Sequence, residues 1–157
     1  METGKFYFVK DEYYKIFSVC NLLENKELDE KGNQRKRPCY YCLKRNDIYW
    51  LIPISSKVDK YHKIYEKKIQ QRGHCNSISF GYVNGKERAF LLQNMCPITE
   101  EYIDEIYTIE NGTVEVKLSS PKVASEIKKN AETLIRLIEK GIPCTLSNVN
   151  KILGELT

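Results

Sequence analysis

A chain of 157 residues with 41% hydrophobic content can bury one core but is too short for two ordinary domains, so we expect a single domain over residues 1–157. No apolar run approaches the roughly 18 residues needed to cross a bilayer, and Met1–Lys5 does not resemble a secretory leader. We therefore expect a cytoplasmic protein with no membrane partner. The net charge of +4 is small, so binding partners must be inferred from where the charges lie.

The N-terminal third predicts a strand, a helix and a loop. Lys5–Lys10 is aromatic and β-branched, which favours a first strand. The next apolar side chains are spaced as in a short helix: Tyr13, Tyr14, Ile16 and Phe17. The polar segment from Asn25 to Arg37 shows no hydrophobic periodicity, so we expect a mobile surface loop that ends at Pro38.

Short strands joined by tight turns dominate the middle of the chain. Two hairpins are predicted, Cys39–Leu43 with Ile48–Ile54 around Arg45-Asn46-Asp47, and Ile78–Val83 with Arg88–Leu92 around Asn84-Gly85. A further turn at Glu110–Thr113 leads into a strand at Val114–Leu118. This pattern is typical of an antiparallel barrel or rolled sheet.

The C-terminal part of the chain predicts helices. Ser120 is suited to cap a helix and Pro121 to its first turn, and Gly141 and Pro143 end the pattern. Between them apolar residues recur at steps of three and four: Val123, Ile127, Ala131, Leu134 and Ile138. A shorter helix after Thr145 carries Val149, Ile152 and Leu153. The expected fold class is α+β, an antiparallel barrel with a long amphipathic C-terminal helix and short accessory helices.

The strongest candidate for a catalytic site follows the apolar run Tyr49–Ile54, which leads directly into Ser55, Ser56 and Lys57. A buried strand would hold these polar groups rigidly at the point where the chain reaches solvent. RNA carries its own nucleophile, the 2'-OH, so a cleaving protein need only align it, help to remove its proton and stabilise charge on the phosphorane. We expect the serine hydroxyls to donate to phosphoryl oxygens and Lys57 to be the main electrostatic catalyst. The alternative is a core strand followed by a serine turn and a solvated run of charges.

Basic and aromatic residues cluster in two segments, one around Lys31–Arg37 and one from Lys60 to Arg72. Cations interspersed with aromatic rings suit phosphates and unstacked bases. The predicted RNA-binding residues are Arg35, Lys36, Arg37, Lys60, Tyr61, His62, Lys63, Lys67, Lys68 and Arg72. The stretches Glu24–Glu30 and Glu100–Glu105 are acidic instead.

A metal site is not expected. Cys39, Cys42, His74 and Cys75 supply four potential zinc ligands, but residues three apart in a strand point to opposite faces, which favours buried free cysteines. Asp59 is one of the few carboxylates near the serine pair, and divalent metal ions need converging oxygen ligands. We therefore predict neither metal nor cofactor.

Four motifs occur in an order that resembles the type III toxin–antitoxin endoribonucleases, the ToxN/AbiQ-like toxins. They are Lys5-Phe6-Tyr7 followed by Tyr13, Arg37-Pro38, Ile52-Pro53-Ile54-Ser55-Ser56-Lys57, and Gln93-Asn94-Met95-Cys96-Pro97-Ile98. They span nearly two-thirds of the chain, and its size is most similar to the CptN-type branch.

The resemblance implies an SH3-like barrel related to the MazF/Kid toxins. It also implies metal-independent RNA cleavage that leaves a 2',3'-cyclic phosphate and a 5'-hydroxyl, on cellular or phage RNA. The implied inhibitor is a small structured RNA, usually a pseudoknot, bound in a protein–RNA hetero-oligomer. The active-site positions fall on Tyr13, on Lys36 or Arg37, and on Ser55, Ser56 and Lys57. The family often has a proline between the serine pair and the lysine, so Lys60 is an alternative to Lys57.

Two other functions remain open. A non-catalytic RNA-binding module of the same barrel type would use the same cations and rings without needing the serine pair. A zinc-stabilised adaptor would bind about one equivalent of metal.

Overall fold

The protein is α+β, with a mostly antiparallel sheet and helices around it. The structure is a computed structural model and describes residues 1–29 and 31–157. The strands within these residues are β1 Phe6–Val9, β2 Lys26–Leu28, β3 Gln34–Lys36, β4 Cys39–Arg45, β5 Ile48–Ser55, β6 Ser79–Val83, β7 Lys86–Phe90, β8 Cys96–Ile98, β9 Ile103–Ile106, β10 Thr108–Ile109 and β11 Val114–Glu115. The α-helices are α1 Asp11–Ile16, α2 Val58–Arg72, α3 Pro121–Glu139 and α4 Val149–Leu156.

The main sheet is organised around β5. Its strand order is β6-β7-β5-β4-β1-β9, and β8 also pairs with β5. The start of β5 lies between β4 and β8, whereas its last residues, Ile54 and Ser55, pair with Phe90 and Ala89 of β7. The near-continuous apolar run of β5 is buried, as a strand enclosed on both faces requires. β5 therefore delivers Ser55 to the edge of the core on a fixed element.

Both hairpins predicted from the sequence are confirmed. The β4–β5 turn places Asn46 and Asp47 at φ 53° and 62°, and the β6–β7 turn places Asn84 and Gly85 at φ 52° and 75°. Two consecutive positive φ angles match the twist of a two-residue hairpin, and Asn, Asp and Gly tolerate them. The predicted strand at Val114–Leu118 is shorter in the structure, where β11 covers only Val114–Glu115.

The two C-terminal helices are confirmed. Ser120 Oγ accepts a hydrogen bond from Val123 N at 3.2 Å, which caps α3. One face of α3 is buried against the main core, including Ile127, Leu134 and Ile138. Neighbouring residues of β7 belong to different clusters, Phe90 with α3 and Ala89 with Tyr61 of α2. The two long helices therefore pack on opposite faces of this part of the sheet.

The prediction of a mobile loop from Asn25 to Arg37 is wrong, because the segment contains the hairpin β2–β3. Asp29 Oδ1 accepts from the backbone N–H of Lys31 and of Asn33, both at 2.9 Å, and Asp29 Oδ2 accepts from Arg35 at 3.0 Å. These local bonds organise the turn without hydrophobic periodicity, and the loop prediction relied on the absence of that periodicity together with the polar composition of the segment. Glu30, which belongs to the predicted acidic stretch, lies outside the described residues.

The sheet is not closed within residues 1–29 and 31–157, where β6 and β9 form its two ends. Isolated bridges pair Lys5 with Lys117 and Val83 with Leu118. The segment before α3 therefore touches both the start of β1 and the end of β6.

None of the helices in the described part of the chain combines the length and the apolar character needed to span a membrane.

Candidate functional site

The end of β5 is a polar turn whose first hydroxyl points inward. Ser55 is only 2% exposed. Its Oγ donates to Glu27 Oε2 at 3.4 Å and accepts from the backbone N–H of Lys57 at 3.1 Å. Ser55 thereby shapes the connection to α2. The next two residues are the accessible ones, since Ser56 is half-buried and Lys57 is exposed.

A shallow depression of about 300 Å³ lies at this turn. It is lined by Ser56, Lys57, Val58, Asp59 and Lys60. Because α2 begins at Val58, the depression lies at the N-terminus of this helix, with Lys57 and Lys60 in its lining. The N–H of Val58 is bonded to the Ser56 carbonyl at 2.9 Å, so the N–H groups that follow it are those that remain unpaired in the first turn. Unpaired N–H groups and a positive helix end both favour anions. The depression is therefore suited to a phosphate group.

Arg37 is a buried residue beneath this turn, and its guanidinium is hydrogen-bonded within the protein. Its Nη1 donates to Glu27 Oε2 at 3.0 Å and to the carbonyl of Ile54 at 2.9 Å, and its Nε donates to the carbonyl of Glu24 at 3.0 Å. A buried cation is stable only when it is paired and hydrogen-bonded, as Arg37 is. The structure thus gives Arg37 protein partners, although the sequence analysis assigned it to RNA.

Glu27 is the residue that sequence reasoning missed. It lies in the middle of β2, and its carboxylate joins Arg37 to Ser55. The flanking residues of β2, Lys26 and Leu28, are exposed, whereas Glu27 is half-buried. The alternation of exposed and half-buried residues along β2 is the one signal that could have indicated its position. It was not used, because the segment was predicted to be a loop.

The exposed lysines of α2 form a stripe on one side of the helix. Lys60, Lys63 and Lys67 are three and four residues apart and all exposed, and Arg72 is exposed in the last turn. Within the described residues none of these four cations forms an ion pair. The term lysine stripe is used below for Lys60, Lys63 and Lys67.

Three predicted RNA-binding residues of α2 have partners in the protein. Tyr61 is buried among Ile78, Ala89 and Leu91. Lys68 Nζ donates to Ser77 Oγ at 2.9 Å and to Gln93 Oε1 at 3.2 Å. The ring of His62 stacks on Phe80 with centroids 3.7 Å apart, and its Nε2 lies 3.3 Å from Glu87 Oε1. These contacts attach α2 to the sheet.

Arg35 and Lys36 lie on β3, at the surface. Arg35 pairs with Asp29 at 3.0 Å and Lys36 with Asp104 at 2.9 Å. Exposed pairs of this kind are weak and exchange readily for another anion. Both residues therefore stay candidate RNA contacts.

Tyr13 has a core position. It is fully buried, and its hydroxyl donates to the carbonyl of Pro97 at 2.7 Å. Burial raises the pKa of this phenol well above its usual value, so it stays protonated. The structure places Tyr13 where it holds β8, and no substrate reaches its hydroxyl in this arrangement.

The cysteines of the zinc hypothesis are separated by the sheet. Cys39 belongs to the cluster beneath α1, and Cys42 to the cluster beneath α3. Burial raises the pKa of each thiol to about 12, which disfavours the thiolate that zinc requires. No group of three or more His, Cys, Asp or Glu side chains suited to a metal ion occurs in the part of the chain that the structure describes.

Comparison with known proteins does not identify a family for this chain. No protein-family model and no curated protein matches this chain. The site must therefore be interpreted from its own chemistry.

The groups gathered at the end of β5 include hydrogen-bond donors, ammonium groups and one largely buried carboxylate. Ser56, Lys57 and the first turn of α2 present donors to solvent, and Glu27 is an acceptor one hydrogen bond further inside. Donors stabilise charge on phosphoryl oxygens, and a carboxylate can take a proton. The arrangement could therefore hold a phosphate group, with a carboxylate that can take a proton nearby.

Proposed function

We propose that this protein is a metal-independent endoribonuclease that cleaves RNA through the substrate's own 2'-OH. The observation that carries the proposal is the turn Ser56-Lys57 between buried β5 and α2, where Ser56, Lys57 and Lys60 line one depression, together with Asp59, at the N-terminus of the helix. Rigid placement of donors around a phosphate is the main requirement of this chemistry.

In the proposed reaction the scissile phosphate occupies the depression. The 2'-oxygen attacks phosphorus, the bond to the 5'-oxygen breaks, and the products carry a 2',3'-cyclic phosphate and a 5'-hydroxyl. Lys57 and the Ser56 hydroxyl stabilise the charge that develops on the phosphoryl oxygens. Lys60 lines the same depression and can contribute to this electrostatic stabilisation.

We further propose that the enzyme is a toxin of the type III toxin–antitoxin kind, inhibited by a small structured RNA. Support comes from the ordered motifs of the sequence and from the lysine stripe, which offers a second row of cations beside the depression. Binding of a folded RNA along this row would neutralise several phosphates. Such a protein acts in the cytoplasm on cellular or phage RNA and is stored as a protein–RNA hetero-oligomer.

An SH3-like barrel is part of the same proposal. β5 pairs with three strands: its first part lies between β4 and β8, and its last two residues pair with β7. The bridges from Lys117 to Lys5 and from Leu118 to Val83 link regions near opposite ends of the strand order. These features support a strongly curled sheet, which is the basis of a small barrel.

A non-catalytic RNA-binding module is the second candidate. The inward bonds of Ser55 favour it, because one of the two serines is then a structural residue. Such a module would use the lysine stripe and the depression to hold RNA without changing it.

One experiment separates the two candidates. The protein is expressed with its upstream DNA, any copurified small RNA is removed, and a labelled RNA is incubated with wild type, Lys57→Ala and Lys129→Ala. Lys129 is an exposed lysine of α3 and serves as the matched control. Cleavage by wild type and Lys129→Ala, but not by Lys57→Ala, supports the enzyme. Binding without cleavage by all three proteins supports the module.

A further inference from the structure

The carboxylate of Glu27 is held in a defined orientation at the end of β5. Its Oε2 accepts from Arg37 Nη1 at 3.0 Å and from Ser55 Oγ at 3.4 Å. The two side chains of the ion pair are only 8% and 14% exposed, Arg37 and Glu27 respectively. Two partners on one oxygen, at low exposure, leave the side chain little freedom to rotate.

The second oxygen of Glu27 is unpaired within the described residues. Oε1 has no hydrogen-bond partner within residues 1–29 and 31–157, and it is not among the solvent-inaccessible unpaired atoms there. A carboxylate with one anchored and one available oxygen is suited to accept a proton from a bound group.

The groups that line the depression include no anchored base. Glu27 lies outside that lining and is linked to it through Ser55 Oγ, which also accepts from the backbone N–H of Lys57. Lysine ammonium groups are protonated at neutral pH, and a serine hydroxyl is a weak acceptor of protons. Asp59 lines the depression but is exposed on the first turn of α2, without the fixed orientation of Glu27. Glu27 is the anchored carboxylate.

We propose that Glu27 is the general base that removes the proton of the 2'-OH, an assignment that rests on the proposed endoribonuclease function. The 2'-oxygen forms its bond to phosphorus as its proton passes to Glu27 Oε1. The bond between phosphorus and the 5'-oxygen breaks, and the 5'-oxygen takes a proton from the ammonium group of Lys57. Glu27 is then neutral and Lys57 is an amine, and exchange with water restores both.

Arg37 and Ser55 are positioning residues in this scheme. Arg37 compensates the charge of Glu27 and ties β2 to the carbonyl of Ile54. Ser55 Oγ is hydrogen-bonded both to Glu27 and to the backbone N–H of Lys57, so it fixes the position of the Glu27 carboxylate relative to the backbone of Lys57. The buried serine thereby has a role although its hydroxyl does not face the depression.

The test measures single-turnover RNA cleavage against pH for wild type, Glu27→Gln, Glu27→Asp, Asp59→Asn and Glu24→Gln. The groups bonded to Glu27 are Arg37, which follows β3, and Ser55 of β5. The charged groups of the depression beyond Ser55 are Lys57, Asp59 and Lys60 at the start of α2. Asp59 is the one other carboxylate among these groups. Glu24 is an exposed carboxylate of the same segment and is the matched control.

We expect Glu27→Gln to slow cleavage by about 100-fold or more and to lose the rise of rate with pH that a carboxylate base produces. Its affinity for RNA with a 2'-deoxy residue at the scissile position should stay within about threefold of wild type. Glu27→Asp withdraws the carboxylate by one methylene and should be about 10- to 100-fold slower while keeping the pH dependence. Glu24→Gln should match wild type.

Three results would overturn the assignment. Glu27 is rejected as the base if Glu27→Gln cleaves at a rate within about threefold of wild type. It is also rejected if Glu27→Gln keeps the pH dependence and Asp59→Asn removes it instead. If Glu27→Gln does not fold, as judged by circular dichroism, folded Glu27→Asp decides, and an unchanged rate rejects Glu27. Wild type that cleaves no RNA would reject the endoribonuclease itself, which is a separate outcome.

Discussion

Arg37 and Glu27 form an ion pair of 3.0 Å that links the β2–β3 hairpin to the end of β5. Both side chains are largely buried, so each charge depends on the other for its solvation. Because Arg37 also donates to the carbonyls of Glu24 and Ile54, one guanidinium bonds two backbone carbonyls and the Glu27 carboxylate.

The first prediction concerns the stability of this link. Arg37→Ala leaves Glu27 as an unpaired, largely buried carboxylate and should lower the free energy of unfolding by about 3–5 kcal/mol. Arg37→Lys should recover only part of the loss, since an ammonium group cannot reproduce the divergent Nε and Nη1 bonds. Urea unfolding measures both. Arg35→Ala, which removes an exposed pair with Asp29, is the control and should cost less than about 1 kcal/mol.

The second prediction concerns the two lysines of the depression. Lys57→Ala should reduce RNA cleavage by about 100-fold or more without changing the melting temperature, because Lys57 is exposed and its removal leaves no buried partner. Lys60→Ala should reduce it less, if Lys57 is the lysine beside the leaving group. A larger loss for Lys60→Ala than for Lys57→Ala would move the catalytic role to Lys60, and full activity of both variants would reject the site.

The third prediction concerns metal ions. Because the 2'-OH is the proposed nucleophile and Glu27 the proposed base, cleavage should persist in excess EDTA. The upstream fragment should end in a cyclic phosphate, which resists a phosphatase until acid opens the ring. Activity that EDTA removes and magnesium restores, or fragments with a free 3'-hydroxyl, would contradict the mechanism.

The elements that the sequence predicted best are those with a strong local signal. Asn84-Gly85 marked a hairpin because few residue pairs tolerate two positive φ angles, and the apolar steps from Val123 to Ile138 marked α3. The burial of β5 was also evident from its composition. In each case the signal lies within the element itself.

The site was predicted only in part, because its inner half depends on contacts distant in sequence. Glu27 and Ser55 are 28 residues apart, and only the β2–β3 hairpin brings them together. α2 was not predicted as a helix, because most of its residues are polar and its apolar face around Tyr61 is short. Composition likewise could not distinguish Lys68, which is bonded to Ser77 and Gln93, from the free lysines beside it.

The fourth prediction concerns Tyr13 and alkaline pH. Its pKa is raised in the folded state by burial, so its contribution to stability is complete below the unfolded pKa of about 10 and is lost as pH rises beyond it. The loss approaches about 1.4 kcal/mol per pH unit for one group. Tyr13→Phe should therefore be less stable than wild type near neutral pH, by about 1–3 kcal/mol for the unpaired carbonyl of Pro97. Above about pH 10 its stability should fall less steeply than that of wild type.

Urea unfolding at neutral and alkaline pH measures both effects. The decrease of the unfolding free energy with pH that remains in Tyr13→Phe is assigned to other buried acids, such as Cys39, whose pKa is raised to about 12 by burial. RNA cleavage near neutral pH should be unchanged by Tyr13→Phe, because the hydroxyl lies in the core. If Tyr13→Phe is folded but no longer cleaves RNA, Tyr13 has a catalytic role after all.

The last prediction separates holding RNA from cutting it. Each phosphate neutralised by a lysine releases condensed counterions, so the logarithm of RNA affinity falls linearly with the logarithm of salt concentration. Replacing the lysine stripe, Lys60, Lys63 and Lys67, with Ala should weaken binding of a structured RNA and reduce that slope by about 2 to 3. Lys68→Ala is the matched control, because Lys68 is bonded to Ser77 and Gln93. It should lower the unfolding free energy and leave the slope unchanged. An unchanged slope in the triple variant would place the RNA path elsewhere, past Arg35 and Lys36 on β3.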